Sequence, residues 1–468
     1  MAINASEVKV YPTKSFFTTN LTRDIELQDA ILDLLDNCVD GITRMQKRKP
    51  SSADPYSHYW AHITFDKSQF SIEDNCGGIP PGIAYEHAFV FGRDPERAVD
   101  GGTVGVYGIG MKRAIFKMGC RASVLSQHAK NESLTVTIPE DWERRDRWEF
   151  PCKATGKVLN ELGTRIVVEK LHDNIADEFS NRTNFQNRLS RAIKQYYGRI
   201  IAKGFGVTVN GVAIDHEDFR LLVPKGYLAG KRLPKTSEQI MPYIFDGDFG
   251  GVQVDLVCGF YQPIQGDEVD EFDESVKRSA DNAGWTLSCN DRVVVYNDKS
   301  ELTGWGTSGV PRYHGQFRTF AGLVQFKSSD PSLLPMHTTK RGIDANSQIF
   351  LQVREYMRIG MGNFTSFTNR WKSDDRVVKA FAGTELATLD QIEEHATPLL
   401  RKVRNRDSAR QYNPSLPQPP SENPTRQIKF SRPQRQIRTV AKFFDIDPDE
   451  VSAVGEAAFE YAYDEARK

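Results

Sequence analysis

At 468 residues the chain is too long for a single ordinary core, so two to three domains are expected. Its composition, 39% hydrophobic and 26% charged, is that of a soluble globular protein. A formal net charge of −1 excludes whole-chain charge as a case for a nucleic-acid or membrane partner, so any such case must come from local patterning. The six cysteines, Cys38, Cys76, Cys120, Cys152, Cys258 and Cys289, include no C-x-x-C pair, which argues against a structural zinc or a dithiol redox motif. Few cysteines in a long chain suit a reducing compartment. The first residues lack a basic stretch leading into an apolar core, as a secretory leader would have. No apolar run approaches the roughly 20 residues that span a bilayer. A cytoplasmic protein without a membrane partner is expected.

Residues 1–29 are polar, with "YPTKSFFTTN" their aromatic cluster. "AILDLLDNCVDGI", from Ala30 to Ile42, has an apolar stripe at helical spacing (Ile31, Leu34, Leu35, Cys38, Val39) and four polar positions, Asp33, Asp36, Asn37 and Asp40. "HYWAHITFD" and "SQFSIED" alternate and predict a β-hairpin. "GGIPPGI" breaks the chain, "AYEHAFVF" reads as a short helix, and "GRDPERAVDGGTVGVYGIG" is a glycine-rich loop leading into the helix "MKRAIFKMG". Strands are expected at "ASVLSQ", "SLTVTI" and "TRIVVEKL". A helix around "NFQNRLSRAIKQYYGRII" closes a first unit, 1–205.

A second unit, 206–370, has strand-like runs such as "GVQVDLVCGFYQ", "RVVVYN" and "FAGLVQFK", then the basic loop "DPSLLPMHTTKRGID" and a long helix. Residues 371–442 read as a helix and a basic, proline-rich linker. Within it, 401–442 carries eleven Lys and Arg against Asp407 and Glu422. Residues 443–468 form an acidic C-terminal helix.

Three segments carry chemistry together. Gly105, Gly108 and Gly110 precede a helix, where backbone N–H groups and the helix N-terminus favour an anion such as a triphosphate. The loop is neither a P-loop nor a Rossmann fingerprint. Asp74 ends a strand beside Gly77 and Gly78; a recessed carboxylate there can accept from an exocyclic amine, and glycine admits a flat ring. Asp33 and Asn37 stand at i and i+4 on one helix face, where the amide oxygen can ligate Mg2+ and the carboxylate can orient or deprotonate a water. Singly each has a bland reading: a plain glycine loop, a turn with an Asx cap, a solvated acidic face.

Read in order, acid-x-x-x-Asn-x-x-Asp, Asp-x-x-Gly-Gly, Gly-x-x-Gly-x-Gly and "GT" at Gly163–Thr164 resemble the motifs of the GHKL ATPases (gyrase, heat-shock chaperone, histidine kinase and MutL type). The wording of "EDNCGGIPPGIAYEHAFVFG" and "VGVYGIGMKRAIFKMG" is similar to the Microrchidia (MORC) type. The resemblance covers roughly residues 8–205. It implies an α/β sandwich of the Bergerat type that binds ATP and Mg2+. Asp74 would meet the adenine amine with Thr164 beside it, and Gly78 would lie against the ring. Asn37 would hold the metal, and Gly105, Gly108 and Gly110 would line the phosphates. Lys112 either reaches phosphate or is solvated. Residues about 88–111 would form a lid. The family's usual general base is a glutamate; here the position is Asp33, one methylene shorter, and a reach error of about 1 Å costs on the order of 100-fold in rate. Either the backbone compensates, or hydrolysis is slow, or Asp36 takes part, Asp33 being favoured because Asp36 lies about 100° round the helix from Asn37.

The loop "LLPMHTTKRGID", a solvated basic loop if read alone, is similar to the lysine-bearing loop of the transducer domain in MutL, topoisomerase and MORC-type ATPases. That resemblance makes Lys340 the residue that reaches the γ-phosphate, with Arg341 second. It implies an ATP-gated homodimer and a DNA-acting clamp in a prokaryotic DNA-processing or defence system with separate nuclease or helicase proteins; Asp33 in place of glutamate makes slow ATP hydrolysis the expectation. DNA would be met through 401–442, whose bland reading is a solvated linker. The alternatives are a chaperone-like or regulatory ATPase acting on protein, and a slow nucleotide sensor.

Overall fold

The computed structural model describes residues 13–46, 55–90, 109–230, 238–264, 282–337, 340–372, 374–404, 406–420 and 428–468. The chain divides into two compact units, Met1–Pro419 and Pro420–Lys468.

The larger unit opens with helix α1 (Lys14–Arg23), capped by the Thr13 side chain. Lys14 pins it: the ammonium donates to the carbonyls of Trp142 (2.9 Å), Arg145 (2.5 Å) and Arg147 (2.6 Å) and lies 4.5 Å from the Trp142 ring centroid. Helix α2 (Leu27–Gln46) follows and contains the Asp33–Asn37 pair.

An eight-stranded mixed sheet comes next: β1 (Trp60–Phe65), β2 (Gln69–Asp74), β3 (Gly119–Ala129), β4 (Glu132–Ile138), β5 (Cys152–Thr155), β6 (Gly163–Leu171), β7 (Gly206–Val209) and β8 (Val212–Ala213). Its order is β5-β4-β3-β6-β2-β1-β7-β8. The expected hairpin is β1–β2, in register from Ala61↔Asp74 to Phe65↔Phe70. Period-2 alternation buries Ala61, Ile63 and Phe65 on β1 and Phe70 and Ile72 on β2. These residues share one core with Ile31, Leu35 and Ile42 of α2, with Ala114 and Ile115 of α3 (Gly110–Met118), and with Leu189 and Ile193 of α4 (Arg182–Ala202). That is a layer of helices on a sheet.

Beyond it, β9 (Arg220–Pro224) pairs with β15 (Thr384–Thr388). A second sheet of seven strands has the order β13-β12-β14-β11-β10-β17-β16. It is built from β10 (Tyr243–Asp248), β11 (Gln253–Phe260), β12 (Gly284–Cys289), β13 (Arg292–Asp298), β14 (Phe320–Lys327), β16 (Arg401–Val403) and β17 (Arg406–Tyr412). Helix α5 (Gln348–Arg370) lays Phe350, Val353, Met357, Met361 and Phe364 into its core at helical spacing.

The chain is therefore mixed α/β, as expected. Three stretches differ from the sequence reading, one of them the helix Gln434–Phe444, which falls inside the expected linker. Residues 371–400 hold strand β15 between the helices Val377–Phe381 and Leu389–Ala396. Residues 401–412, expected in the linker, continue the second sheet. Their pattern is masked because the inward residue at Ala409 is small and Arg410 is held sideways on Asp246, at 2.9 and 2.6 Å. An edge strand with polar side chains reads as a basic linker.

The smaller unit consists, among its described residues, of the helices Gln434–Phe444 and Val451–Arg467, joined where Asp445 takes a left-handed conformation (φ 54°). Phe443, Phe444 and Tyr461 pack edge-on between them. Among the described residues no helix is long and apolar enough to cross a membrane.

Candidate functional site

Helix α2 is polar along one face, and that face is not solvated. Asp33, Asp36 and Asp40 are 6, 1 and 4% exposed, while Asn37 is half-buried. At about 100° per residue, Asp29, Asp36, Asp33 and Asn37 fan across roughly 100° of the helix, so its two edges can serve different neighbours. One edge meets the second sheet; the other turns to the end of β2 and the start of α3.

On the second edge, Asp33 is taken by the guanidinium of Arg113, 2.5 Å from Oδ2. Gly110, at the start of the same α3, lies against the Asp33 side chain: a Cβ there would come within 3.4 Å of it. Burial raises the Asp33 carboxyl above its ordinary range and the charge of Asp36 adds to this, against Lys340 and Arg113. Asn37 Nδ2 has no hydrogen-bond partner among the described residues, so this amide is not committed to the protein.

Next to them, Asp74 ends β2. Its Oδ1 accepts from the backbone N–H of Cys76 (2.8 Å) and of Thr164 (3.3 Å), while among the described residues Oδ2 receives the weak Cys38 thiol of α2, at 3.5 Å. Oδ2 therefore keeps acceptor capacity. Burial lifts the Asp74 carboxyl to about 6 even though these three donors oppose it. The close fit depends on glycine: a Cβ on Gly163 would lie 1.8 Å from the Asp74 carbonyl oxygen, and one on Gly41 of α2 would lie 2.4 Å from that of Cys76. Gly78 abuts strand β3, where a Cβ would sit 2.5 Å from the Gln127 carbonyl oxygen.

Lys112 is buried, and its ammonium donates to the carbonyls of Ala88 and Val90, each at 2.8 Å. Burial lowers its pKa to about 8. It anchors the backbone at the start of the expected lid. Gly105, Gly108 and lid residues 91–108 lie outside the described residues.

On the first edge, the loop of the second sheet arrives. Lys340 is buried at φ 55° and its ammonium lies 3.0 Å from Asp36 Oδ2. Arg292, at the start of β13, donates from Nε to Asp36 Oδ1 at 2.9 Å, and the Tyr197 hydroxyl of α4 donates to the same oxygen. Arg341 pairs with Asp29 and stacks 4.1 Å from the Tyr196 ring centroid. Burial by itself would raise Asp36; Lys340 and Arg292 together with the Tyr197 hydroxyl overcome it and hold the carboxyl at about 2. Asp36 is thus a poor proton acceptor, whereas Asp33 is raised and better suited to that role.

The structure brings Asp33, Asn37, Asp74, Gly110 and Thr164 around the same helix, with Gly78 and Lys112 at the border. Lys340 reaches the helix too, on its neighbouring edge. Sequence reasoning missed Arg113, Arg292 and Tyr197. Arg113 was readable as a cation one turn after Gly110. Arg292 merely begins an apolar strand, and Tyr197 sits within an ordinary helix, so neither had a local signal.

A separate cleft of about 1040 Å³ lies between α4 and the second sheet. In its walls Lys194 pairs with Glu217 and Arg220 with Asp218, and none of the expected site residues lines it. Among the described residues no group of three or more His, Cys, Asp or Glu could hold a metal ion. In comparisons with known proteins, no family model and no curated sequence matches the chain.

Proposed function

We propose that the chain is a Mg-dependent ATPase with a Bergerat-type (GHKL) nucleotide site on the Asn37 edge of α2, coupled to a transducer-like second sheet. The observation that carries this reading is the convergence, at one helix edge, of an uncommitted asparagine amide, a raised carboxylate and a recessed aspartate whose Oδ2 keeps acceptor capacity. Asp74 Oδ2 accepts from the adenine amine, with the Thr164 N–H fixing the carboxylate. The Asn37 amide oxygen would be this chain's ligand to Mg2+, which would supply charge neutralisation on the phosphates. Gly110 opens α3, whose N-terminus faces negative charge, and Gly105 and Gly108 precede it. Asp33 orients the attacking water and takes its proton. ATP binding gates a homodimer that clamps DNA in a prokaryotic DNA-processing or defence setting. The exposed residues Lys429, Arg432, Arg435, Arg438 and Lys442 meet the phosphates, and separate nuclease or helicase proteins act on the DNA.

A second reading has its own support. Asp33 is one methylene short of the family's glutamate, and one of its oxygens is taken by Arg113. Both favour a slow nucleotide sensor over a fast motor. Turnover of wild type, Asp33→Ala and Asn37→Ala separates the two. An ATPase loses turnover in both variants, whereas a sensor has little turnover to lose and drops nucleotide affinity only in Asn37→Ala. If Asp33→Ala turns over ATP as fast as wild type, the base assignment is wrong.

A further inference from the structure

We propose that Asp36 is the resting counter-ion of Lys340, a positioning residue that parks the lysine of the second sheet beside the nucleotide edge and releases it to the phosphates. This rests on the nucleotide reading above and adds to it a protein partner for Lys340.

The geometry is asymmetric in a way that permits release. Asp36 Oδ1 is held twice, by Arg292 and by the Tyr197 hydroxyl, whose single proton is shared with the Leu32 carbonyl 2.6 Å away. Arg292 in turn is fixed by the carbonyls of Tyr196 and Val293, at 3.3 and 2.8 Å, and by the Tyr197 ring, 4.2 Å away. Oδ2 has Lys340 alone among the described residues. If Lys340 leaves, Asp36 keeps a counter-charge and two donors, so no bare buried carboxylate results. If Arg292 left, the carboxylate would lose both a counter-charge and its better-fixed donor. Of the two cations, Lys340 is therefore the one that can move.

The loop that carries the lysine is tied to the second sheet, so release is a swing of the Lys340 side chain. Met336 bridges Ile343, Lys340 N donates to the His337 carbonyl at 2.9 Å, and Gly342 N donates to the Val294 carbonyl of β13 at 2.9 Å. Lys340 itself is held with φ in the left-handed region, a conformation that non-glycine residues rarely take. Asp36 and Asp33 are about 60° apart on the helix. A short swing therefore carries the ammonium from one edge to the other. A polyphosphate on the second edge competes for Lys340 against Asp36.

The test measures ATP and ADP affinities side by side, since only the terminal phosphate should draw the lysine. Asp36→Asn leaves two buried cations without a counter-charge and is expected to fold poorly. The charge-balanced double variant Asp36→Asn/Arg292→Met is therefore used with Lys340→Met. Expected is about a tenfold rise in the ratio of ATP to ADP affinity in the double variant, and a fall of similar size in Lys340→Met, with ADP affinity unchanged in both. Amine acetylation read by mass spectrometry supplies an independent arm: Lys340 is protected in nucleotide-free wild type and reacts faster in the double variant. If wild type binds ATP but the ratio is unmoved in both variants, the counter-ion role is overturned and the nucleotide reading survives. If Lys340 is acetylated in free wild type as fast as an exposed lysine, the resting pair is overturned whatever the nucleotide data show. If wild type binds no ATP, both the release and the nucleotide reading fall.

Discussion

Gly163→Ala is the sharpest test of how the Asp74 platform is built. The added Cβ would lie 1.8 Å from the Asp74 carbonyl oxygen, 2.7 Å from its carbonyl carbon and 2.9 Å from Asn75 Cα. All three are backbone atoms, so no side chain can swing aside. Reaching an ordinary contact of about 3.2 Å requires β6 and the end of β2 to part by more than 1 Å locally. Two neighbouring bonds are strained by that movement: Thr164 N to Asp74 Oδ1, already 3.3 Å, and Gly77 N to the Leu162 carbonyl, 3.0 Å. Overpacking of this kind costs about 3 kcal/mol. Urea unfolding should show a loss of that order. ATP affinity should drop on the order of tenfold or more, because Asp74 loses its fixed orientation. Gly82→Ala is the control: nothing lies within 4 Å of its Cβ position, and a shift within about 0.5 kcal/mol is expected. Gly163→Ala with wild-type stability and wild-type ATP affinity would refute this account of the platform.

Other perturbations follow from the same geometry. Asp74 titrates near 6 in the folded chain against an ordinary 3.8, so its contribution favours the fold below pH 4 and is lost as pH rises to 6. Wild type should lose up to roughly 3 kcal/mol relative to Asp74→Asn across that window in urea titrations; parallel curves would contradict the burial of this carboxyl. Nucleotide affinity should run the other way, weakening below pH 6 as Asp74 takes up a proton and Oδ2 ceases to be a charged acceptor. Arg113→Met leaves buried Asp33 without its guanidinium and should cost about 3 kcal/mol by chemical denaturation; a change under about 0.5 kcal/mol would mean the pair is idle. Changing Arg432, Arg435 and Arg438 to Gln together should abolish a salt-dependent gel shift with duplex DNA while leaving ATP turnover intact; an undiminished shift would remove this segment from DNA binding.

The first layer was largely legible because its signals are local. Alternation in "HYWAHITFD" and "SQFSIED" predicts a hairpin whichever way the rest folds, and the Asp33–Asn37 spacing fixes one helix face. What the sequence could not convey was that this face is buried from two sides. Asp36 looks like one more surface acid until Arg292 and Lys340, 256 and 304 residues further along the chain, arrive on it. Such long-range ion pairs leave no periodic trace. Residues 401–412 failed for the opposite reason: their polar side chains are at the sheet edge, where composition mimics a linker.

The most direct measurement for the whole reading is calorimetric titration of the chain with ATP and Mg2+, beside Asp74→Asn and Asn37→Ala. The account predicts one ATP per chain for wild type, with affinity at least tenfold weaker in each variant and Mg2+ dependence lost in Asn37→Ala. Absence of ATP binding by folded wild type, or equal binding by all three proteins, would contradict it.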